Sequence, residues 1–175
     1  MWMRSLLLAV VAACAALAQP PKYGVGKAAP PDVLKNWDIS VLPDGTGLPA
    51  GSGTAKLGAD IFKSKCAKCH GQNGEGADEG ALVGGKGSLA SPKPLKTVGS
   101  YWPYATTVFD YVNRAMPFKD PGSLTSDQVY SVVAHVLRLN GIVGENDVLD
   151  AKSLPKVAMP NREGFIRDPR PPKKK

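Results

Sequence analysis

Residues 66–70 read Cys66-Ala67-Lys68-Cys69-His70, and the whole sequence can be interpreted outward from this pentapeptide. In a C-x-x-C-H sequence two thiols lie about one helical turn apart, so each can add to one of the two vinyl groups of a single porphyrin. The histidine directly after the second thiol can then supply an imidazole nitrogen as an axial ligand of the iron. The sequence therefore predicts one covalently attached c-type haem, held by Cys66, Cys69 and His70.

Three other uses of two neighbouring cysteines fit less well. A zinc site needs about four ligands, but the sequence has three cysteines and two histidines, and Cys14 lies in a predicted leader. A disulfide would leave His70 without a role. A thioredoxin-like redox pair would need a βαβ context that the sequence does not show. Haem attachment is therefore the favoured interpretation.

The first eighteen residues have the pattern of an export signal. A single positive residue, Arg4, precedes an apolar run over residues 6–17 that is too short to span a bilayer comfortably, and Ala18 completes an A-x-A cleavage site. Two alternatives remain open: a retained membrane anchor, and a lipoprotein with Cys14 as its lipidated residue. We predict a periplasmic protein, cleaved near Ala18, with no stable membrane span.

The charge of the chain bears on its partners. The formal net charge is +7, and it becomes +6 if Arg4 is removed with the leader. A moderately basic protein is suited to docking on an acidic partner face. The sequence has no clustered basic and aromatic stripe, which argues against nucleic-acid binding.

The spacing of apolar residues predicts three helices and an all-α fold. The first covers about residues 54–67 and delivers Cys66 to the haem edge. The second starts near Pro103 and ends at Met116, and the third covers residues 126–140, with Thr125 as its N-cap and Gly141 as its stop. No segment shows the alternation of a strand.

Segments rich in proline or glycine flank and interrupt these helices. Residues 19–53 are predicted to be an extended N-terminal arm, in which residues 32–37 form a short helical turn that packs through Val33, Leu34 and Trp37. Residues 71–87 form a glycine-rich loop that wraps the haem. The resulting division is a leader (1–18), an arm (19–53), a helical domain (54–141) and an extension (142–175) with a solvated basic end, Lys173 to Lys175.

On the side opposite His70 the iron takes a protein ligand, a water molecule or nothing, and the sequence offers three candidates for a protein ligand. Met116 is favoured, because a Met-Pro loop between two helices can return across the far haem face. Met159 is the second candidate, although it can instead pack the tail against the body. His135 is the third, and a lone histidine on an apolar helical stripe is more often a packing residue.

With these residues in place, the chain resembles a class I monohaem cytochrome c over residues 54–141. The resemblance implies helices packed around one haem, with Gly58 and Phe62 set against the turn 132–136. Many members orient the proximal histidine through the carbonyl of a Gly-Pro pair, which this chain lacks, so Gly80 is the expected acceptor for His70. Ligation by histidine and methionine fills both axial sites and favours electron transfer over catalysis at the haem.

A closer resemblance is carried by residues 98–107, 109–111 and 114–118. These stretches, with shorter ones at 37–39, 48–53 and 159–161, are similar to the cytochrome domain of the haem subunit of sulfane dehydrogenase. The resemblance implies a carrier that serves a molybdenum-cofactor subunit of the sulfite oxidase type and passes electrons to a downstream cytochrome or oxidase. The dihaem subunit of that group carries two haem domains, whereas the single C-x-x-C-H of this chain predicts a monohaem version. It also implies that Tyr101 and Trp102 hydrogen-bond a haem propionate, with ordinary core packing as the alternative.

Two other functional classes stay open at this point. The chain could be a haem enzyme that acts directly on a small molecule, of the peroxidase or thiosulfate-oxidising type, which would need an open or cysteine-ligated iron. It could also be an assembly subunit whose proline-rich arms do the binding. We expect an electron-transfer protein, or the cytochrome subunit of a sulfite or sulfane dehydrogenase.

Overall fold

The structure is a computed structural model that describes residues 23–166 and 169–170. The chain divides into two units, residues 1–36 and 37–175, each described here by itself. The predicted leader over residues 1–18, with its cleavage site at Ala18 and the candidate lipidation site Cys14, lies outside the described residues. So does the basic end, Lys173 to Lys175.

The helical turn predicted in the arm is confirmed as helix α1 (Pro31–Trp37). Packing of Trp37 was expected, and this expectation is wrong, because Trp37 belongs to the second unit and is 80 % exposed. The packing expected of Val33 and Leu34, in the first unit, stays a prediction. A helix of seven residues has too few hydrogen bonds to be stable alone in water.

Four helices lie in the described part of the second unit, and the predicted all-α fold is confirmed. They are α2 (Ala55–Lys65), α3 (Ala67–His70), α4 (Ala105–Ala115) and α5 (Ser126–Leu139). The single first helix predicted over residues 54–67 is corrected to two, because Cys66 leaves helical geometry with φ −122°. Within the described residues, no helix is long and apolar enough to cross a membrane.

Local side-chain chemistry sets the helix ends where the sequence indicated. Thr125 accepts a hydrogen bond from the Gln128 N–H, and the Gln128 side chain accepts one from the Thr125 N–H, which makes a capping box. Thr54 caps α2 by accepting from the Leu57 N–H. Gly141 adopts φ +68°, a conformation that ends a helix at low cost only for glycine.

Helices α2 and α5 cross at Gly58, as predicted. A Cβ at this position would lie 1.9 Å from the carbonyl oxygen of Ser131 and 2.9 Å from the Cβ of His135. One turn further along α2, the buried ring of Phe62 lies 5.2 Å from the His135 ring. The absence of a side chain at Gly58 therefore brings the two backbones together and sets Phe62 into the core.

The segment after α5 also belongs to this core. Two short strands, β1 (Ser52–Gly53) and β2 (Leu149–Asp150), form an antiparallel pair that the sequence did not predict. A 3-10 turn over Leu154–Lys156 follows. Leu149, Leu154 and Met159 are all buried with the helical core residues, so residues 149–159 contribute to the body.

Candidate haem site

The helices enclose one side of a cavity of about 450 Å³. Five of the six predicted site residues line it: Cys66, Cys69, His70, Trp102 and Met116. The remaining wall is mostly apolar, and its larger apolar members are Phe62, Leu82, Val98, Val108, Val112, Phe118, Leu124, Val132 and Val136. A planar apolar group could therefore be buried here next to both thiols.

The break between α2 and α3 places the two thiols. Cys66 ends α2 by donating its N–H to the Phe62 carbonyl at 2.8 Å, and its own carbonyl accepts the His70 N–H at 3.0 Å. Both Cys66 and Cys69 are free thiols. Burial, together with the neighbouring Cys69, raises the pKa of the Cys66 thiol to about 11. The unattached thiol is therefore neutral at physiological pH.

The ring of His70 is oriented by the glycine-rich loop. Its Nδ1 lies 3.0 Å from the carbonyl oxygen of Gly80, which is the acceptor expected from the sequence. The loop is held by Gly76 N–H donating to the His70 carbonyl at 2.7 Å, and by Glu79 N–H donating to the Cys69 carbonyl at 2.9 Å. Donation from Nδ1 leaves Nε2 as the nitrogen available to a metal.

The three candidates for the second axial ligand are separated by their positions. Met116 follows the last turn of α4, donates its N–H to the Val112 carbonyl, and lines the cavity. Met159 is 3 % exposed and packs in the hydrophobic core away from the cavity lining. His135 Nδ1 lies 3.3 Å from the Ala55 carbonyl, at the helix crossing. Met116 is therefore the candidate that the structure places with His70.

The two predicted propionate partners differ in position. Trp102 lines the cavity, and its ring packs against Tyr111 with the centroids 5.9 Å apart. Tyr101 does not line it, because its ring lies between Lys96 and Phe165. The prediction of a direct propionate contact stays open for Trp102 and has no geometric support for Tyr101.

Three charged residues that the sequence analysis did not single out also line the cavity: Lys65, Lys96 and Glu79. None belongs to a motif, and each lies in a stretch where a charged residue is most often simply solvated. Lys65 could have been suspected because it directly precedes Cys66. Nothing in the pattern distinguishes Lys96 from Lys86 or Lys93 in the same region.

Helix α4 is anchored by a buried carboxylate. Asp110 accepts the Val41 N–H at 2.8 Å and pairs with Arg114 one turn further along the helix. Burial would raise the pKa of the Asp110 carboxyl, but the hydrogen bonds from Arg114 and Val41 outweigh it and hold the pKa below its ordinary value. The anchor therefore fixes the helix whose residues 108, 111 and 112 line the cavity.

The residues of the cavity fit a covalently bound haem. The donor set comprises two free thiols, an imidazole with Nδ1 engaged, and a thioether, all facing one largely apolar space. The described residues contain no group of three or more His, Cys, Asp or Glu side chains that could hold a bare metal ion. Fold and site together define a c-type cytochrome.

Comparisons with known proteins agree with this class. Residues 53–136 match the family model described as cytochrome C oxidase, cbb3-type, subunit III. The chain belongs to the cytochrome c family and is 46 % identical to a chain of the sulfane dehydrogenase SoxCD from Paracoccus pantotrophus. The match covers 85 % of this chain and 73 % of that chain, with a TM-score of 0.79. A search of curated proteins found no match. The protein is thus an electron-transfer cytochrome, and the predicted resemblance is confirmed.

Proposed function

We propose that this protein is an exported monohaem cytochrome that accepts single electrons from a molybdenum-cofactor subunit of the sulfite or sulfane dehydrogenase type. It passes them to a downstream cytochrome or oxidase during oxidation of an inorganic sulfur compound. The observation that carries the proposal is the extent of the similarity to the SoxCD chain. That match spans 85 % of this chain, whereas the cytochrome family match spans only residues 53–136.

The extra length matters because it lies outside the cytochrome domain. Part of this flanking chain packs into the body, since Leu149, Leu154 and Met159 are buried with the helical core. Similarity over 85 % of the chain therefore extends to the architecture around the haem domain, and the class of partner is proposed from it by analogy. This supports a partner of the same class, a dehydrogenase subunit, for the present chain.

The chain's own residues suit this role. Cys66 and Cys69 would hold the haem covalently, and His70 and Met116 would ligate the iron. A bound haem supplies a one-electron redox centre. The Gly80 carbonyl keeps the His70 ring in one orientation, and the wall that would surround the haem is largely apolar. A site that is fixed in advance reorganises little when its charge changes, which favours rapid electron transfer.

Exposed apolar side chains in the arm also support a protein partner. Seven large apolar residues between positions 23 and 42 are exposed: Tyr23, Val25, Val33, Leu34, Trp37, Ile39 and Leu42. Aromatic and aliphatic anchors of this kind are typical of protein interfaces. The arm is therefore the first segment to truncate when binding to the dehydrogenase subunit is measured.

The alternative, a haem enzyme acting directly on a small molecule, requires an open or cysteine-ligated iron. The position of Met116 in the cavity wall argues against an open site. Both cysteines of the described chain belong to the attachment motif. Rapid binding of carbon monoxide to the native reduced protein would favour this alternative.

A reconstitution experiment tests the proposal. The purified protein, in its oxidised form, is mixed with a sulfite oxidase-type molybdenum enzyme and sulfite, and haem reduction is followed by absorbance. We expect reduction only when enzyme and substrate are both present. Reduction by sulfite or thiosulfate alone would refute the carrier role. Mass spectrometry of the periplasmic form checks export, with a chain that begins at Gln19 as the expected result and a lipidated Cys14 as the contrary one.

A further inference from the structure

Lys96 is a charged residue of the cavity wall for which the described chain provides no counter-ion. It lines the cavity, and its side chain is exposed at the edge. The ion pairs among the described residues involve Arg114 with Asp110 and Arg138 with Glu145. Lys96 therefore belongs to no ion pair among the described residues, although the carboxylate residue Glu79 also lines the cavity.

The backbone on both sides of Lys96 is held by a buried hydrogen-bond network. Thr97 and Ser100 are 2 % and 4 % exposed. The Ser100 hydroxyl donates to the Leu95 carbonyl at 2.6 Å, and the Thr97 hydroxyl donates to the Gly84 carbonyl at 2.6 Å. Buried, fully paired polar groups of this kind fix a loop in one conformation. The Lys96 Cα therefore has a defined position beside the cavity.

The Lys96 side chain is guided by an aromatic ring. Its Nζ lies 5.1 Å from the centroid of the Tyr101 ring, within the range of a cation–π interaction. Tyr101 is itself held by the C-terminal segment: Phe165 packs edge-on at 5.2 Å, and Asn161 Nδ2 donates to the Tyr101 carbonyl at 2.7 Å. The C-terminal extension thus holds Tyr101 in place, and the Tyr101 ring in turn contacts Lys96.

We propose that Lys96 is the counter-charge for a propionate carboxylate of the bound haem, and that Tyr101 is a positioning residue that acts through Lys96. The other cavity lysine, Lys65, directly precedes Cys66 and so belongs to the attachment side. In a porphyrin the propionates and the vinyl-derived carbons occupy different edges. Lys96 lies in a separate segment of the wall with Thr97 and Val98, and is the cation assigned to the propionate edge.

The pairing has a measurable consequence for the redox equilibrium. A positive charge beside the haem favours the form that carries one more electron. Loss of an exposed charge pair changes an equilibrium by about two- to five-fold. Removal of Lys96 should therefore lower the ratio of reduced to oxidised protein at a fixed solution potential by about two- to five-fold.

The test is a spectroelectrochemical titration of purified, full-length holoprotein at low ionic strength, with covalent haem loading checked in every variant. We expect Lys96→Gln to lower the reduced fraction by this factor and Lys96→Arg to retain the native value. Lys93→Gln is the matched control, since it removes the same charge from an exposed lysine outside the cavity lining. The difference between the Lys96→Gln and native proteins should shrink in high salt, because exposed charges are screened.

A second pair of variants separates the two roles. Tyr101→Phe keeps the ring and should behave as the native protein, whereas Tyr101→Leu should lower the reduced fraction. Adding Tyr101→Leu to Lys96→Gln should cause no further loss, because both changes remove one interaction. The proposal is overturned if Lys96→Gln matches Lys93→Gln, or if Tyr101→Leu acts fully in the Lys96→Gln background. The titration contains no partner enzyme, so its outcome is independent of the proposed sulfur chemistry.

Discussion

Substitution of Gly58 by alanine tests the helix crossing on which the body depends. The new Cβ would lie 1.9 Å from the Ser131 carbonyl oxygen, where ordinary contact begins at 3.4 Å, so the backbones must separate locally by about 1.5 Å. Overpacking of this kind costs about 1–3 kcal/mol, and a rigid backbone obstacle places it at the upper end. Alanine recovers about 1 kcal/mol of helix propensity. The net expectation is a loss of about 2 kcal/mol in the free energy of unfolding.

The assay is denaturant and thermal unfolding of the holoprotein, followed by circular dichroism and by haem absorbance. For a chain of this size, a loss of about 2 kcal/mol corresponds to a fall in Tm of about 4–8 °C. Asp60→Ala is the control, since it raises propensity at an exposed position of the same helix and should change stability by less than about 0.5 kcal/mol. A Gly58→Ala protein as stable as the native one would show that α2 and α5 do not approach as described.

Three further predictions follow from the site and its supports. Met116→Ala should lose the absorption spectrum of methionine-ligated low-spin haem. Met159→Ala should keep that spectrum but lose about 2–5 kcal/mol of stability, because it truncates a core side chain. Visible spectroscopy tests the ligand and urea unfolding tests the stability. Burial lowers the pKa of His135, so its stabilising contribution is present above the unfolded value of 6.5 and is lost as the pH falls through the folded pKa. Urea midpoints between about pH 8 and 5 should therefore decline for the native protein and stay flatter for His135→Gln. Asp110→Asn should cost about 1–3 kcal/mol of stability at pH 7, because the Arg114 and Val41 donors lose a charged acceptor. The stabilisation by the native Asp110 carboxylate should disappear as the pH falls below 3.8. Equal stability of the two proteins at pH 7 would contradict the role of Asp110 in anchoring α4.

The sequence allowed the haem motif, the fold class and the helix caps to be predicted because each is local. Capping at Thr125 needs only the next few residues. The Gly58 crossing and the Gly80 acceptor could be predicted because the resemblance supplied the long-range pairing, and the structure bears out both. These are features in which side-chain type and short spacing determine the geometry.

The features that were missed depend on contacts between irregular segments. The Asp110 anchor joins α4 to Val41, 69 positions away, and no periodicity reports such a contact. Lys96 belongs to no sequence motif, and its side chain is positioned by the Tyr101 ring and by the buried hydrogen-bond network of the adjacent loop. Met159 was predicted as a distant second candidate for the iron, and the structure instead places it in the core. Proline-rich composition concealed how much of the region after α5 is packed.

The pairing of Ser52 with Asp150 has a kinetic consequence. It joins the chain before α2 to the chain after α5, so it closes a non-covalent ring that contains the attachment motif and every helix of the body. The entropy of closing so long a ring is about 4 kcal/mol, more than two residue pairs of backbone hydrogen bonding return. The β1–β2 pair is therefore stable only after the helices have brought its two strands together. We expect it to form last and to open first, with amide exchange faster there than in the middle of α5.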